Sequence, residues 1–357
     1  MIQSIRFSNY RAFRSMEMHN VQPVTLISGR NNIGKSSILE GVFFFLGHRD
    51  PLIFSTLRRF RGLPTMVDSP RLWETEFNCM NSAIPGCISV MFEGAEQMSS
   101  LEFSRDDTFV IPPDADSTVV PLRTSGAATP DSYALKYVFS EDNEIQVSHC
   151  TVSGNGVPRL YSSTAASILP RSRFVNSAQL YSVSDELLAE ELGRMELADR
   201  KEQVLNALRI VDPTVDDITP IVQPEGVQIY VKSGTKRLPI RLAGDGLNRV
   251  LYLILALSEN PDTIVLIDEI ETGFHYTMYP RLWEVVAKTA AISNCQVIAT
   301  THSYECISGA SVGIQKAGRS DDFGYFRLGY DRNKGECAYQ FSDDLLRTAI
   351  DMEVEVR

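Results

Sequence analysis

Eight consecutive residues, Gly29-Arg30-Asn31-Asn32-Ile33-Gly34-Lys35-Ser36, fit the G-x-x-x-x-G-K-[ST] spacing of a phosphate-binding loop. The residue types suit that task. Gly29 and Gly34 let the backbone turn so that its N–H groups converge on an anion. Lys35 can reach the β and γ phosphates of a nucleotide, and the Ser36 hydroxyl can ligate Mg²⁺. Arg30, Asn31, Asn32, Ile33 and Ser37 complete the contact surface, and the helix that starts here adds its dipole. The expected ligand is ATP with Mg²⁺.

Three further groups fit the same chemistry. Val265-Leu266-Ile267-Asp268-Glu269 is an apolar run ending in two acids. A carboxylate just past a buried strand stands where an α/β sheet places its ligands. Asp268 is expected to hold the Mg²⁺ ion and Glu269 to orient the attacking water. Thr300-Thr301-His302-Ser303 follows a second buried run, and His302 can hydrogen-bond a γ-phosphate. Gly244-Asp245-Gly246 opens an apolar helix whose first N–H groups form another anion site. One chain cannot obviously bring two such sites to one γ-phosphate, whereas a second, facing copy can. His19, His48 and His149 have no such partners and read as structural.

These residues need elements to hold them. Val24 to Ser28 reads as a strand and Ser37 to Leu46 as a buried helix with Gly47 as its cap. Thr263 to Ile267 and Gln296 to Thr300 are continuous apolar runs of the parallel-sheet kind, with a helix over Arg281 to Ala291 between them. Short strand-like runs lie at 87–92, 100–103, 108–111, 134–139 and 144–147, and Pro112 to Asp131 reads as a surface loop. Residues 64–86, with Trp73, read as loop and short helix. A helical region runs from Ser184, or Ser182, as cap to about Val211, and strands return over 220–240. The arginines Arg49, Arg58, Arg59 and Arg61 read as a solvated face, with a phosphate-contacting edge as the alternative.

Composition excludes several classes. The 357 residues are 43% hydrophobic and 22% charged, which is ordinary for a globular chain. A net charge of −11 argues against a broad nucleic-acid surface but not against a local basic groove. Six cysteines without a C-x-x-C pair read as reduced thiols. No secretory signal region is apparent, and Val42 to Leu46, the longest apolar run, is far too short to span a bilayer. The expectation is a cytoplasmic protein.

The order of parts resembles the ABC-type ATPase heads of the RecF and SMC families. Ile5-Arg6-Phe7-Ser8-Asn9-Tyr10-Arg11-Ala12-Phe13 is similar to their first strand and its Asn-aromatic-Arg turn. The chain most resembles stand-alone "AAA family" ATPases related to the ATPase part of OLD nucleases. Gly29 to Asn32, Gly244 to Gly246, Ile267-Asp268-Glu269-Ile270-Glu271-Thr272-Gly273-Phe274-His275 and Glu353 to Arg357 carry that likeness. It implies an α/β fold: a P-loop NTPase ABC-type head, residues 1–63 and 219–357, with an inserted antiparallel β segment and a helical segment over 64–218. Ala243 stands where such heads place a serine, which shifts the second-copy contact to backbone N–H groups with Asn248 or Arg249. No Q-loop glutamine is identifiable.

The resemblance also implies a function. An ATP-hydrolysing switch would dimerise head-to-tail on ATP and control a separately encoded effector, a Toprim-like nuclease, in anti-phage defence. Only 55 residues follow His302, too few for a Toprim domain, and Asp321-Asp322 and Asp343-Asp344 lack its metal spacing. The alternative is a RecF-type DNA-binding repair ATPase. A module that holds ATP without hydrolysing it is the third reading, and Glu269 with His302 counts against it.

Overall fold

The computed structural model describes every residue except 51, 64–73, 107, 110–133, 143, 153–157, 163–168, 182, 225, 333–334, 353–355 and 357. The Pro112–Asp131 loop, Trp73, Ser182, Val110, Ile111 and most of Glu353–Arg357 lie outside the described residues.

Strand β1 (Ile2–Tyr10) buries Ile2, Ile5, Phe7 and Tyr10. Ile2 and Ile5 are three apart, an odd spacing for one strand face. A register shift between Ile2 and Ser4 re-aims the chain and brings both inside. Asn9 and Arg11 adopt φ of 48° and 46° at the turn into β2 (Phe13–His19). Then β3 (Val24–Gly29), buried throughout, delivers the glycine loop to helix α1 (Lys35–Leu46).

After α2 (Ile53–Phe60) come β4 (Gly86–Phe92), β5 (Ser99–Asp106), β6 (Ala134–Glu141), β7 (Glu144–Val152), β8 (Pro158–Ser162) and β9 (Ser172–Val175). Helices α3 (Ser177–Tyr181), α4 (Asp185–Leu197) and α5 (Lys201–Val211) lead to β10 (Asp217–Gln223), β11 (Gly226–Ser233) and β12 (Lys236–Pro239). The chain then runs α6 (Ile240–Ala243), α7 (Asp245–Ser258), β13 (Ile264–Ile267), α8 (Tyr279–Ser293) and β14 (Gln296–Thr300). It continues through α9 (Tyr304–Ala317), β15 (Phe323–Asp331), β16 (Gly335–Phe341) and α10 (Asp343–Asp351).

Two large sheets result. One is antiparallel, in the order β2-β1-β4-β5-β6-β7-β8; the other runs β16-β15-β3-β14-β13-β9 and is parallel from β15 to β9. A small sheet of β10, β11 and β12 stands apart from both. Side-chain alternation distributes the parallel strands between two cores. Leu26, Val265, Ile267, Val297 and Ala299 face the core shared with α7, α8 and α9. Their neighbours Ile27, Ile264, Leu266 and Ile298 face the core shared with α1 and the antiparallel sheet.

Helix α1 is therefore buried all round. Phe44 meets Phe103 and Tyr137 of the antiparallel sheet edge-on at 5.7 and 5.6 Å, and Phe43 meets Phe174 of β9 at 5.6 Å. Such side chains stabilise by roughly 1.5–3 kcal/mol apiece when fully buried. Gly41 permits the close fit, since a Cβ there would lie 2.4 Å from the Phe7 ring. The glycine loop thus projects from a strand and a helix that are both locked in place.

Two expectations need correction. The helical region from Ser184 is two helices, because Asp199 takes a left-handed φ of 54° between α4 and α5. Ser184 is the cap, accepting from the Leu187 N–H at 3.2 Å. Thr108 and Phe109 are not in a strand, because Asp106 Oδ1 accepts from the Thr108 N–H and hydroxyl at 2.9 and 2.7 Å and turns the chain. Strands β4 to β8 extend a sheet begun by β1 and β2, and β9 pairs with β13.

Gln296 joins the two sheets. Its side chain accepts from the Ile2 N–H at 2.7 Å and donates to the Ile2 carbonyl at 2.8 Å. Among the described residues, no helix is long and apolar enough to cross a membrane. All six cysteines are free thiols.

Candidate active site

The C-terminal ends of β3, β14, β13 and β9 lie side by side, and each delivers part of one cleft. At the end of β3, Gly29 adopts φ 148°, Asn32 66° and Gly34 104°, a run of positive values that curls the loop. Backbone of this kind turns its N–H groups to one side. A side chain at Gly34 would strike the Phe13 ring at 2.6 Å, so glycine is required there for conformation and for space.

Lys35 is buried, and its ammonium donates to the carbonyls of Gly29 at 2.7 Å and Arg30 at 3.1 Å. Burial pushes it below its ordinary pKa, while Glu271, Asp268 and Glu269 pull the other way. The ammonium is thus held at the mouth of the loop by weak neutral acceptors that a phosphate can replace.

Ser36 Oγ donates to Asp268 at 3.1 Å (Oδ1) and 2.9 Å (Oδ2), which joins the loop to the end of β13. Thr300, at the end of β14, donates its hydroxyl to Asp268 Oδ1 at 2.6 Å and accepts from the Glu269 N–H at 2.9 Å. Glu269 is held at φ 52°, a left-handed value that costs a β-carbon residue about 1–2 kcal/mol. Its side chain stays 45% exposed, free to meet a ligand. His302 Nδ1 lies 4.0 Å from Glu269 Oε1 and 2.9 Å from Glu271 Oε1.

The cleft measures about 400 Å³ and is lined by residues of the loop with Glu40, Phe60, Arg61, Phe174, Asn176, Asp268 and Glu269. The structure therefore brings Lys35, Ser36, Ser37, Asp268 and Glu269 to one cleft, with His302 beside it, 4.0 Å from Glu269. Asn31 and Asn32 line the opening, Arg30 is exposed, and Ile33 packs over Gly29. Gly244 and Gly246 are elsewhere: they start α7, do not line the cleft, and Gly244 is exposed with open space where a side chain would be. His275 is also outside it, exposed and bonded to Thr277 at 2.9 Å.

The donor set suits Mg²⁺. That ion takes oxygen ligands and is bound through one or two carboxylates plus phosphate oxygens. Ser36 and Asp268 present such oxygens within hydrogen-bond distance of each other, and the described residues hold no cluster of three or more His, Cys, Asp or Glu side chains that would favour another metal.

Sequence reasoning missed Asn176, Phe174 and Glu40, and it read Arg61 as solvated. Arg61 instead lines the cleft and forks onto Glu40, with contacts of 2.7 to 3.1 Å. Glu40 also takes Arg11, whose Nε reaches Glu76 at 2.7 Å, so that the buried Arg11, Glu40 and Glu76 and the half-exposed Arg61 form one network. Asn176 follows β9, a strand of only four residues, which left no periodic signal.

The comparisons agree with this geometry. Residues 1–83 match the family described as AAA ATPase domain, and residues 193–308 match AAA domain, putative AbiEii toxin, Type IV TA system. The chain is 21% identical over 340 residues to a protein of Helicobacter pylori named ATP/GTP phosphatase, covering 86% of each. It is 38% identical to an uncharacterized protein of Methanocaldococcus jannaschii, but over 50 residues, 23% of that protein. Among solved structures, an SMC head bound to the C-terminal winged-helix domain of ScpA superposes with a TM-score of 0.51 at 13% identity, covering 96% of this chain and 98% of that one. The fold is that of an SMC-type head. Fold, site and matched segments together define a P-loop ATPase with an ABC-type head fold, an enzyme that hydrolyses ATP.

Proposed function

We propose that the chain is an ATP-driven switch that closes head-to-tail with a second copy of itself and controls a separately encoded effector. One observation carries the dimeric reading. Lys35, Ser36, Asp268 and Glu269 converge on one cleft, while Gly244 at the start of α7 stands exposed and, like Gly246, outside it. An anion-binding helix start that its own cleft does not use is suited to the nucleotide of a facing copy.

Within the cleft, Lys35 exchanges its carbonyl partners for the β and γ phosphates. Ser36 and Asp268 hold Mg²⁺, which when bound neutralises phosphate charge. Glu269 orients the attacking water, fixed by the Thr300 hydroxyl beneath its N–H. His302 contacts the terminal phosphate and so distinguishes ATP from ADP. ATP supplies contacts that close the dimer, and hydrolysis removes them.

The effector is proposed to be nuclease-like, acting in anti-phage defence from a cytoplasmic protein pair. The resemblance to OLD-related ATPases supports this, and so does the toxin–antitoxin description of the family matched over residues 193–308. The net charge of −11 counts against the alternative of a DNA-binding repair ATPase.

The test is Glu269→Gln, with ATPase assay and size-exclusion light scattering in ATP and in ADP. The variant should bind ATP, fail to turn it over and accumulate as dimer. Turnover at the parent rate, or a monomer in saturating ATP, would remove the switch reading. Pull-down with ATP against ADP, followed by mass spectrometry, tests the effector.

A further inference from the structure

The turn after the acid pair buries a third carboxylate. Glu271 is 6% exposed. Its turn is fixed by backbone bonds, Thr272 N–H to Glu269 carbonyl at 2.9 Å and Phe274 N–H to Glu271 carbonyl at 3.1 Å. A buried carboxylate is tolerated only where donors meet it. Both donors here belong to one residue. Glu271 Oε1 accepts from the backbone N–H of His302 at 2.8 Å and sits 2.9 Å from its Nδ1. Oε2 is buried with no hydrogen-bond partner among the described residues.

This arrangement restricts the imidazole. The His302 side chain is 50% exposed, so packing alone does not hold the ring. With Nδ1 turned to Glu271, Nε2 is the ring nitrogen left for a ligand. Glu271 also opposes the effect of burial on Lys35, so this one carboxylate bears on both side chains.

We infer that Glu271 is a positioning residue that holds His302 through its backbone N–H and Nδ1, leaving Nε2 for the terminal phosphate of bound ATP. The inference rests on the hydrolytic reading above and adds a residue to it. Glu271 touches no ligand itself. Its effect on turnover and on ATP-over-ADP preference passes through His302.

The experiment is a double-mutant cycle on the full chain, comparing Glu271→Ala, Glu271→Gln, His302→Ala and Glu271→Ala/His302→Ala. Readouts are kcat and KM for ATP, and displacement of a fluorescent nucleotide by a non-hydrolysable ATP analogue and by ADP. Glu271→Ala and His302→Ala should each lower kcat about 10- to 100-fold, the range for lost supporting contacts. KM should change little, and the double variant should lose no more than either single one. Glu271→Gln keeps an acceptor oxygen without the charge, and should fall between parent and Glu271→Ala. Preference for the ATP analogue over ADP should shrink in both alanine variants. Multiplying losses in the double variant, or a parental kcat and parental nucleotide preference in Glu271→Ala, would overturn the inference. If the parent shows no turnover that Lys35→Ala abolishes, the hydrolytic reading fails instead, and the displacement readout still tests the pair.

Discussion

Ser36 Oγ donates to both oxygens of the Asp268 carboxylate, at 3.1 and 2.9 Å across 232 residues of sequence. The bond sets the glycine loop against the end of β13 before any ligand arrives. On the proposed reading it also sets out the two oxygens that would hold Mg²⁺. Preorganisation of this kind is where an ATPase obtains most of its rate, since little covalent chemistry is left to side chains.

Lys35→Ala removes the one cation at the mouth of the loop. Hydrolysis should fall about 100-fold or more, in the range for losing a preorganised charge-stabilising donor. Because burial works against the Lys35 charge, the melting temperature should not drop. A phosphate-release assay and a thermal melt together check both halves.

Thr300→Val preserves shape but deletes a hydroxyl that serves Asp268 and the Glu269 N–H. Two polar groups lose a partner, and turnover should fall about 10-fold. A higher Mg²⁺ concentration should be needed for half-maximal rate. Titrating Mg²⁺ at saturating ATP measures it.

Gly34→Ala places a methyl 2.6 Å from the Phe13 ring on a backbone with φ 104°. Strain and overpacking should cost roughly 2 kcal/mol or more in urea unfolding. Nucleotide affinity should fall with it, as read by fluorescent-nucleotide titration.

Arg11→Met leaves Glu40 and Glu76 buried without their shared partner. Removing one side of such a pair destabilises by about 3–5 kcal/mol. Restoring stability by changing Glu76→Gln in the same chain would confirm that stranded charge, not lost packing, is the cause.

His48 is 1% exposed, with Nδ1 donating to the Phe45 carbonyl at 2.8 Å and its ring stacked on Phe139 at 4.6 Å. Burial lowers its pKa to about 4. The unfolded chain takes up a proton near pH 6.5 and the folded chain does not. Stability from this group is full above that value and is lost as pH falls toward about 4, by about 3 kcal/mol. Urea midpoints between those limits should show the slope, and His48→Phe should flatten it.

The glycine loop, Asp268-Glu269 and His302 were legible because each follows an apolar run that a parallel sheet needs at its centre. The turn chemistry of the loop is written locally in Gly29, Gly34 and Lys35. Asn176, Arg61 and Glu271 were not legible as site residues. Asn176 follows a strand too short for a period, and Arg61, itself 43% exposed, is marked out only by the distant Glu40 it meets. Glu271 was seen as part of a motif, but its partner lies 31 residues on, across a strand pairing that no local pattern reveals. The antiparallel sheet was half legible: β4 to β7 show their alternation, while their union with β1 and β2 is a tertiary fact.

Strand β3 has β14 on one side and β15 on the other. The ribosome makes the loop at its end well before the strands that flank it, which end at Thr300 and Asp331. At roughly 5–20 residues per second, the nascent loop waits tens of seconds for its neighbours. Until then the glycine backbone lacks the sheet that braces it and, at first, the Asp268 it meets. The binding loop is therefore finished by strands made long after it.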